Sequence, residues 1–283
     1  MKIKKVGVVG CGQMGAGITQ VCAQSNYQVV VSEINDKLLK KGLASIDSVL
    51  NRNVEKERIT QQDKDAILSR IKGTTNTKDF SDCDLVVEAA IENLDLKKKI
   101  FTELDKICSP QAILASNTSC MSIIDMATVT GRPDKVLGLH FFNPVQVMKL
   151  LEIVKTIATS DETVEICRTF GESLEKSVVL AQDAPGFIVN RLMTPFLLNA
   201  IRMLEAGVAT REDIDTGVKL GLNHPMGPLT LADLIGLDTV YFVASSIYDE
   251  SKDPQFASPI LLKKMVTAGW WGRKTGKGFY EYK

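Results

Sequence analysis

Residues 3–15 read Ile3-Lys4-Lys5-Val6-Gly7-Val8-Val9-Gly10-Cys11-Gly12-Gln13-Met14-Gly15, a run rich in valine that ends on glycines spaced G-x-G-x-x-G. A short apolar run bounded by glycine predicts a buried parallel strand over 3–9. Met14, Ile18, Val21 and Cys22 then recur at helical spacing until Ser25-Asn26. Residues 27–32 form a second strand-like run, closed by the acid Glu33. Gly10 permits the tight turn, Gly12 lets a pyrophosphate approach the backbone, and Gly15 lets the helix pack on the strand. The helix start, with Gln13 and Met14 in its first turn, presents N–H groups and a positive dipole end to phosphates. Glu33 is placed to accept from both hydroxyls of an adenosine ribose and to repel a 2′-phosphate. Strand, turn, helix, strand and acid in this order predict that residues 2–33 hold a dinucleotide, NAD or FAD.

Working outward, residues 36–71 are dense in charge, with helical spacing at Leu39, Leu43, Ile46 and Leu50 and a second helix over 61–71. This is long for a simple crossover and predicts a helical hairpin, which read alone is a solvated surface extension. Strands are expected over 84–89, 112–116, 136–141 and 147–154, with a helix over 94–107. That alternation argues an α/β Rossmann-type doubly wound sheet. Asp183-Ala184-Pro185-Gly186 breaks the pattern. Beyond it helices are expected over 187–206, 213–220, 230–248 and 259–268. The division is therefore a nucleotide-binding domain over 1–183, with the hairpin at 36–71, and an all-α domain over 184–283. A cleft between two such domains is a common place for a substrate.

The 283 residues carry 34 Lys+Arg and 34 Asp+Glu, so nothing suggests a general attraction to nucleic acid or to membrane surfaces. No apolar stretch is long enough to span a bilayer. The basic N-terminus is followed by a glycine-broken run ending in an acidic strand end, which reads as structure and not as a signal peptide. Six cysteines without a C-x-x-C pair, beside two histidines, argue against a metal site and fit buried thiols in a reducing compartment such as the cytoplasm.

With two histidines the choice of acid/base is narrow. His140 is expected at a strand's carboxyl end, where ligands of open α/β sheets bind. Glu152 lies twelve positions on, across a turn at Asn143-Pro144. A carboxylate beside an imidazole orients the ring and stabilises its cation, as reversible carbonyl reduction requires. Position alone slightly favours a structural histidine. Asn117, Ser119 and Asn143 fall at strand ends and Asn190 after the break, so each could bind a carbonyl or hydroxyl oxygen, or merely cap a turn. Lys97-Lys98-Lys99 reads as a solvated face, with the alternative that Lys97 reaches a phosphate. His224, in Asn223-His224-Pro225, reads as a structural turn histidine.

Seven stretches carry a resemblance along nearly the whole chain. They are Gly10-Cys-Gly-Gln-Met-Gly-Ala-Gly17, Val87-Glu-Ala-Ala-Ile-Glu-Asn93, Ser116-Asn-Thr-Ser119, His140-Phe-Phe-Asn-Pro-Val145, Asp183-Ala-Pro-Gly-Phe-Ile-Val-Asn-Arg191, Gly227-Pro-Leu-Thr-Leu-Ala-Asp233 and Gly276-Lys-Gly-Phe-Tyr280. With these the chain resembles the L-3-hydroxyacyl-CoA dehydrogenases, in length the free-standing bacterial 3-hydroxybutyryl-CoA enzymes. The resemblance implies NAD-dependent interconversion of (S)-3-hydroxybutyryl-CoA and acetoacetyl-CoA, within fatty-acid and butanoate metabolism. It implies His140 as general acid/base with Glu152 as partner, and Ser119 and Asn190 on the substrate C3 oxygen. Asn143 would align histidine and substrate and lie beside the cofactor. Glu33, Glu92, Lys97, Asn117 and Lys274 would contact NAD or lie beside it, with Lys97 also near the CoA phosphates. Ser48 and Lys56 of the hairpin would meet the CoA adenosine, and the helical domain would form a homodimer. The family usually has Asp where this chain has Glu33. Two other readings stay open from the residues: a dehydrogenase of a free hydroxy acid on the same scaffold, and a non-enzymatic NAD-binding protein.

Overall fold

The computed structural model describes residues 2–282 and divides into two compact units, Met1–Ala184 and Pro185–Lys283. Within the first unit eight strands form one sheet in the order β3-β2-β1-β4-β5-β6-β7-β8. Its first strands are β1 (Lys5–Val9), β2 (Gln28–Ser32), β3 (Ile71–Thr74), β4 (Leu85–Glu88) and β5 (Ile113–Ser116). β6 (Val136–Phe141), β7 (Leu150–Lys155) and β8 (Ser177–Gln182) complete it. All neighbours pair in parallel except β6 and β7, which run antiparallel. The central strands are apolar along their length because helices cover both faces, so burial does not alternate: β4, β5 and β6 are buried at every residue. The order, with β1 central and a crossover on each side of it, is the doubly wound Rossmann arrangement.

The helices of this unit are α1 (Gln13–Gln24), α2 (Asp36–Glu55), α3 (Gln61–Ser69), α4 (Leu94–Ile107), α5 (Ile123–Ala127) and α6 (Asp161–Ser173). The hairpin of α2 and α3 has good local stop signals. Asn35 caps α2 by accepting from Leu38 N, and Thr60 with Asp63 forms a capping box on α3. It is no purely solvated extension, because Leu39, Ile46, Leu50 and Ile67 belong to the same apolar core as Ile18 of α1. Gly42 is what permits this docking: a Cβ there would lie 2.3 Å from the Cys11 carbonyl oxygen.

The expected elements shift in three places. The helix expected to Ile71 stops at Ser69, and Ile71–Thr74 becomes an edge strand, β3. Residues 155–182, unassigned by pattern, supply α6 and β8. The last strand expected over 147–154 begins only at Leu150.

The second unit consists of α7 (Val189–Glu205), α8 (Arg211–Gly221), α9 (Pro228–Ile235), α10 (Leu237–Ser251) and α11 (Ile260–Thr267), with short 3₁₀ turns and two isolated β-bridges. The helix expected over 230–248 is in fact two, bent by 94° at Gly236, whose φ of +103° no L residue adopts cheaply. Two buried aspartates organise this unit. Asp215 accepts from Leu229 N and Thr230 N at the start of α9, and Asp233 accepts from Phe279 N and Tyr280 N of the C-terminal segment. They explain two glycine-bearing motifs, since a Cβ on Gly227 would overlap the Asp215 carboxyl and one on Gly278 that of Asp233. No single helix among the described residues is long and apolar enough to cross a membrane.

Candidate active site

The turn between β1 and α1 is built as its glycines require. Gly10 has φ +94°, and a Cβ there would lie 2.8 Å from the Ala89 carbonyl oxygen. A Cβ on Gly15 would lie 1.9 Å from the Gly10 oxygen, so helix and turn are in contact. Gly12 is the opposite case, because a Cβ there would meet nothing within 4 Å. It stands at the N-cap of α1, whose first N–H groups receive no side-chain cap. An open cradle over an uncapped helix start fits a pyrophosphate. Glu33 follows β2, and its carboxylate accepts from Cys11 N at 2.8 Å and from Ile34 N at 3.1 Å. The acid is thus tied to the turn, where a ribose beside the pyrophosphate would lie. Gln13 and Met14 open α1, as expected.

His140 and Glu152 stand directly opposite each other in the antiparallel β6–β7 register. His140 Nδ1 and Glu152 Oε2 are 2.6 Å apart, with His140 6% and Glu152 0% exposed. A buried pair at this distance orients the imidazole with Nδ1 toward the carboxylate. Phe142 packs on the imidazole, ring centroids 4.5 Å apart.

The ends of β4 and β5 form a charged network next to this pair. Glu88 accepts from Ala90 N, Lys97 Nζ at 2.7 Å and Ser116 Oγ. Glu92 accepts from Thr118 Oγ1 at 2.8 Å and from Ser119 N at 3.0 Å, with Lys97 Nζ at 3.6 Å. Asn117 accepts from Phe141 N at 3.0 Å, which stitches β5 to β6 beside the histidine. Glu92 therefore grips the Ser119 segment, and Asn117 braces the strand of His140. Lys97 corrects the reading of Lys97-Lys98-Lys99 as a solvated face. It is 1% exposed and its ammonium is held inside the protein by Glu88. The helix turns Lys97 inward together with Phe101 and Leu104, while Lys99 faces out.

A cavity of about 470 Å³ opens beside the glycine turn, lined among others by Gly12, Gln13, Glu33, Lys41, Ser45 and Asn143. It thus joins the nucleotide turn to the β6–β7 turn. Asn143 Oδ1 accepts from Gln13 Nε2 at 3.1 Å across it. Ser48 and Lys56, expected on the CoA side, are exposed and do not line it. The face of α2 that does carries Lys41, Ser45 and Val49, each four apart; sequence reading missed it, although Gly42 marks where α2 meets the turn. In the second unit, Asn190 is buried in the first turn of α7, and Lys274 pairs with Asp238. His224 is exposed in its loop. No cluster of three His, Cys, Asp or Glu among the described residues could hold a metal ion, and all six cysteines are buried.

A doubly wound sheet with an uncapped glycine turn and a buried His–Glu pair at its carboxyl edge defines a dinucleotide-dependent oxidoreductase scaffold. Two family descriptions match the chain: 3-hydroxyacyl-CoA dehydrogenase, NAD binding domain, over residues 5–184, and 3-hydroxyacyl-CoA dehydrogenase, C-terminal domain, over 186–282. The chain belongs to the 3-hydroxyacyl-CoA dehydrogenase family, and its cofactor is NAD. It is 46% identical to a 3-hydroxybutyryl-CoA dehydrogenase of Bradyrhizobium diazoefficiens, covering 99% of this chain and 96% of that one. The crystal structure of Mycobacterium tuberculosis FadB2 superposes with a TM-score of 0.97 at 46% identity, over 100% of both chains. That of (S)-3-hydroxybutyryl-CoA dehydrogenase PaaH1 from Ralstonia eutropha superposes with 0.96, also at 46% identity and over 100% of both.

Proposed function

We propose that this enzyme interconverts (S)-3-hydroxybutyryl-CoA and acetoacetyl-CoA, with His140 as proton carrier and Glu152 as its orienting partner. The observation that carries this reading is the buried 2.6 Å His140–Glu152 pair, on strands whose joining turn shares a cavity with the nucleotide turn. NAD held by Gly10, Gly12, Gln13, Met14, Gly15 and Glu33 supplies the two-electron acceptor or donor. His140 Nε2 takes the proton of the C3 hydroxyl in the oxidising direction and returns it to the C3 oxygen in the reducing one. Glu152 supplies the opposite charge when the ring is protonated. Ser119 and Asn190 donate to the C3 oxygen, and Glu92 holds Ser119 in place for this. Asn143 aligns the substrate, and Lys274 lies beside the cofactor. The cavity is shared: NAD takes the side of Gly12, Gln13 and Glu33, and the CoA chain the side of α2, with Lys41 as a cation on its wall. Ser48 and Lys56, the C-cap of α2, meet the CoA adenosine and its phosphates beyond the cavity, and Ser45 adds a hydroxyl on the cavity wall.

The second unit is read as the homodimer surface. Its large apolar side chains Leu192, Leu220 and Leu222 are 72%, 79% and 61% exposed, more than solvent-facing helices need. A cytoplasmic setting agrees with six reduced, buried cysteines.

Initial rates of NADH oxidation with acetoacetyl-CoA, free acetoacetate and longer 3-ketoacyl-CoA substrates up to C16 test the substrate class. Acetoacetyl-CoA is expected to be reduced well and free acetoacetate hardly at all; equal rates for the two sink the CoA assignment. The same assay with NADPH reads the role of Glu33. Replacing Glu33 by Ala removes two carboxylate acceptors and the repulsion of a 2′-phosphate. The NADPH-to-NADH ratio of kcat/KM is expected to rise about tenfold or more. An unchanged ratio removes Glu33 from ribose recognition.

A further inference from the structure

Residues 142–149 join the strand of His140 to the strand of Glu152, and through Asn143, Pro144 and Gln146 they form one wall of the cavity. Two hydrogen bonds between side-chain amides tie this turn to α1: Gln13 Nε2 donates to Asn143 Oδ1, and Gln146 Nε2 donates to Gln20 Oε1 at 2.9 Å. Val145 packs onto Gly17, where a Cβ would lie 2.8 Å from its methyl. From the other side comes Lys176, between α6 and β8. Its Nζ donates to the carbonyl oxygens of Val145 at 2.6 Å and Met148 at 2.8 Å.

Lys176 is only 8% exposed, and the charged groups that act on it, Lys149 and Glu175, pair with each other at 3.8 Å. Burial holds its ammonium below the usual lysine range. A buried ammonium whose hydrogen bonds go to carbonyls and not to a carboxylate is a costly way to fill space, since a methionine would pack there without desolvating a charge. What the ammonium gives in return is two charge-assisted bonds to carbonyls three residues apart in one turn.

We propose that Lys176 is a positioning residue for the acyl-CoA substrate: by pinning the carbonyls of Val145 and Met148 it holds Asn143, Pro144 and Gln146 as the cavity wall beside the glycine turn. This rests on the reading above that the cavity takes the CoA chain. Gly12, Gln13 and Glu33 line the same cavity, but Glu33 keeps its bond to Cys11 N and α1 its own backbone without the ammonium, so any change in NADH binding is small beside the change for the acyl-CoA. The effect of losing it belongs in KM for the acyl-CoA.

The test is steady-state reduction of acetoacetyl-CoA by the full-length Lys176→Met variant, beside a fluorescence titration with NADH. KM for acetoacetyl-CoA is expected to rise about tenfold, from the loss of charge-assisted bonds that fix the wall. The fall in kcat is expected to be smaller, and NADH affinity to stay within about twofold. Lys176→Gln, which keeps a neutral donor, is expected to recover part of the loss. An unchanged KM, or a fall confined to kcat, overturns the proposal. Should Lys176→Met not fold, Gln146→Ala decides: it cuts the same wall from α1, and a raised KM supports the proposal while an unchanged one overturns it. A wild type that does not reduce acetoacetyl-CoA refutes the assigned substrate, and the Lys176 proposal with it. A wild type that does, beside an unaltered Lys176→Met, refutes the Lys176 proposal alone.

Discussion

Replacing His140 by Gln is expected to lower turnover of acetoacetyl-CoA about 10²–10⁴-fold, the usual worth of a positioned acid/base. The amide fills similar space and keeps a donor toward Glu152, so the β6–β7 pairing survives. What it cannot do is carry a proton to and from the C3 oxygen. NADH affinity should stay within about twofold, because the glycine turn and Glu33 belong to β1 and β2, away from the histidine's strand. Glu152→Gln is the companion variant. It keeps an acceptor at 2.6 Å but removes the charge opposite the imidazolium, so its loss of kcat should be real and smaller than that of His140→Gln. Wild-type turnover in His140→Gln would remove the histidine from the chemistry.

Lys97→Met is expected to be the most destabilising single change at the site. Lys97 and Glu88 are 1% and 0% exposed, and their ion pair is 2.7 Å long. Removing one partner of a buried pair leaves the other charge stranded, which typically costs about 3–5 kcal/mol. For a unit of this size the midpoint of thermal unfolding should drop by roughly 6–20 °C. The double variant Glu88→Leu with Lys97→Met should recover part of that, since no lone charge remains. Recovery is incomplete because Ser116 Oγ and Ala90 N lose their acceptor. The same experiment separates two roles for this lysine. A phosphate contact predicts weaker ligand binding at unchanged stability; an internal counter-ion predicts the reverse order of effects. A midpoint within 2 °C of wild type, where about 3 kcal/mol is the least expected, would contradict the structural reading.

Much of this was legible in the chain because local sterics write it there. Gly10 and Gly15 sit where any Cβ would strike backbone, so their spacing announces the turn before any coordinate is known. His140 and Glu152 were candidate partners as a histidine and an acid on consecutive strand-like runs joined by a turn at Asn143-Pro144; that they stand directly opposite is set by the β6–β7 register. Other features depend on contacts far away in sequence. Ile71-Lys72-Gly73-Thr74 is an edge strand made mostly by pairing with β2, and its composition alone argues for a loop. Gly236 inside an apolar run looks like a tolerated helix glycine; its conformation makes it a corner. Lys97 was misread because three lysines in a row look solvated. Its spacing from Phe101 and Leu104, four and seven residues on, was the available signal that it points inward. Lys176 left no local trace at all, since its partners are carbonyls 28 and 31 positions away.

The central claim is a hydride passed directly between nicotinamide and the C3 carbon of a 3-ketoacyl-CoA. The decisive measurement is reduction of acetoacetyl-CoA with NADH carrying deuterium at both C4 positions of the nicotinamide, followed by mass and NMR analysis of the product. The expected product is (S)-3-hydroxybutyryl-CoA carrying a single deuterium on C3. Product without deuterium at C3, or deuterated NADH left unconsumed, would contradict it.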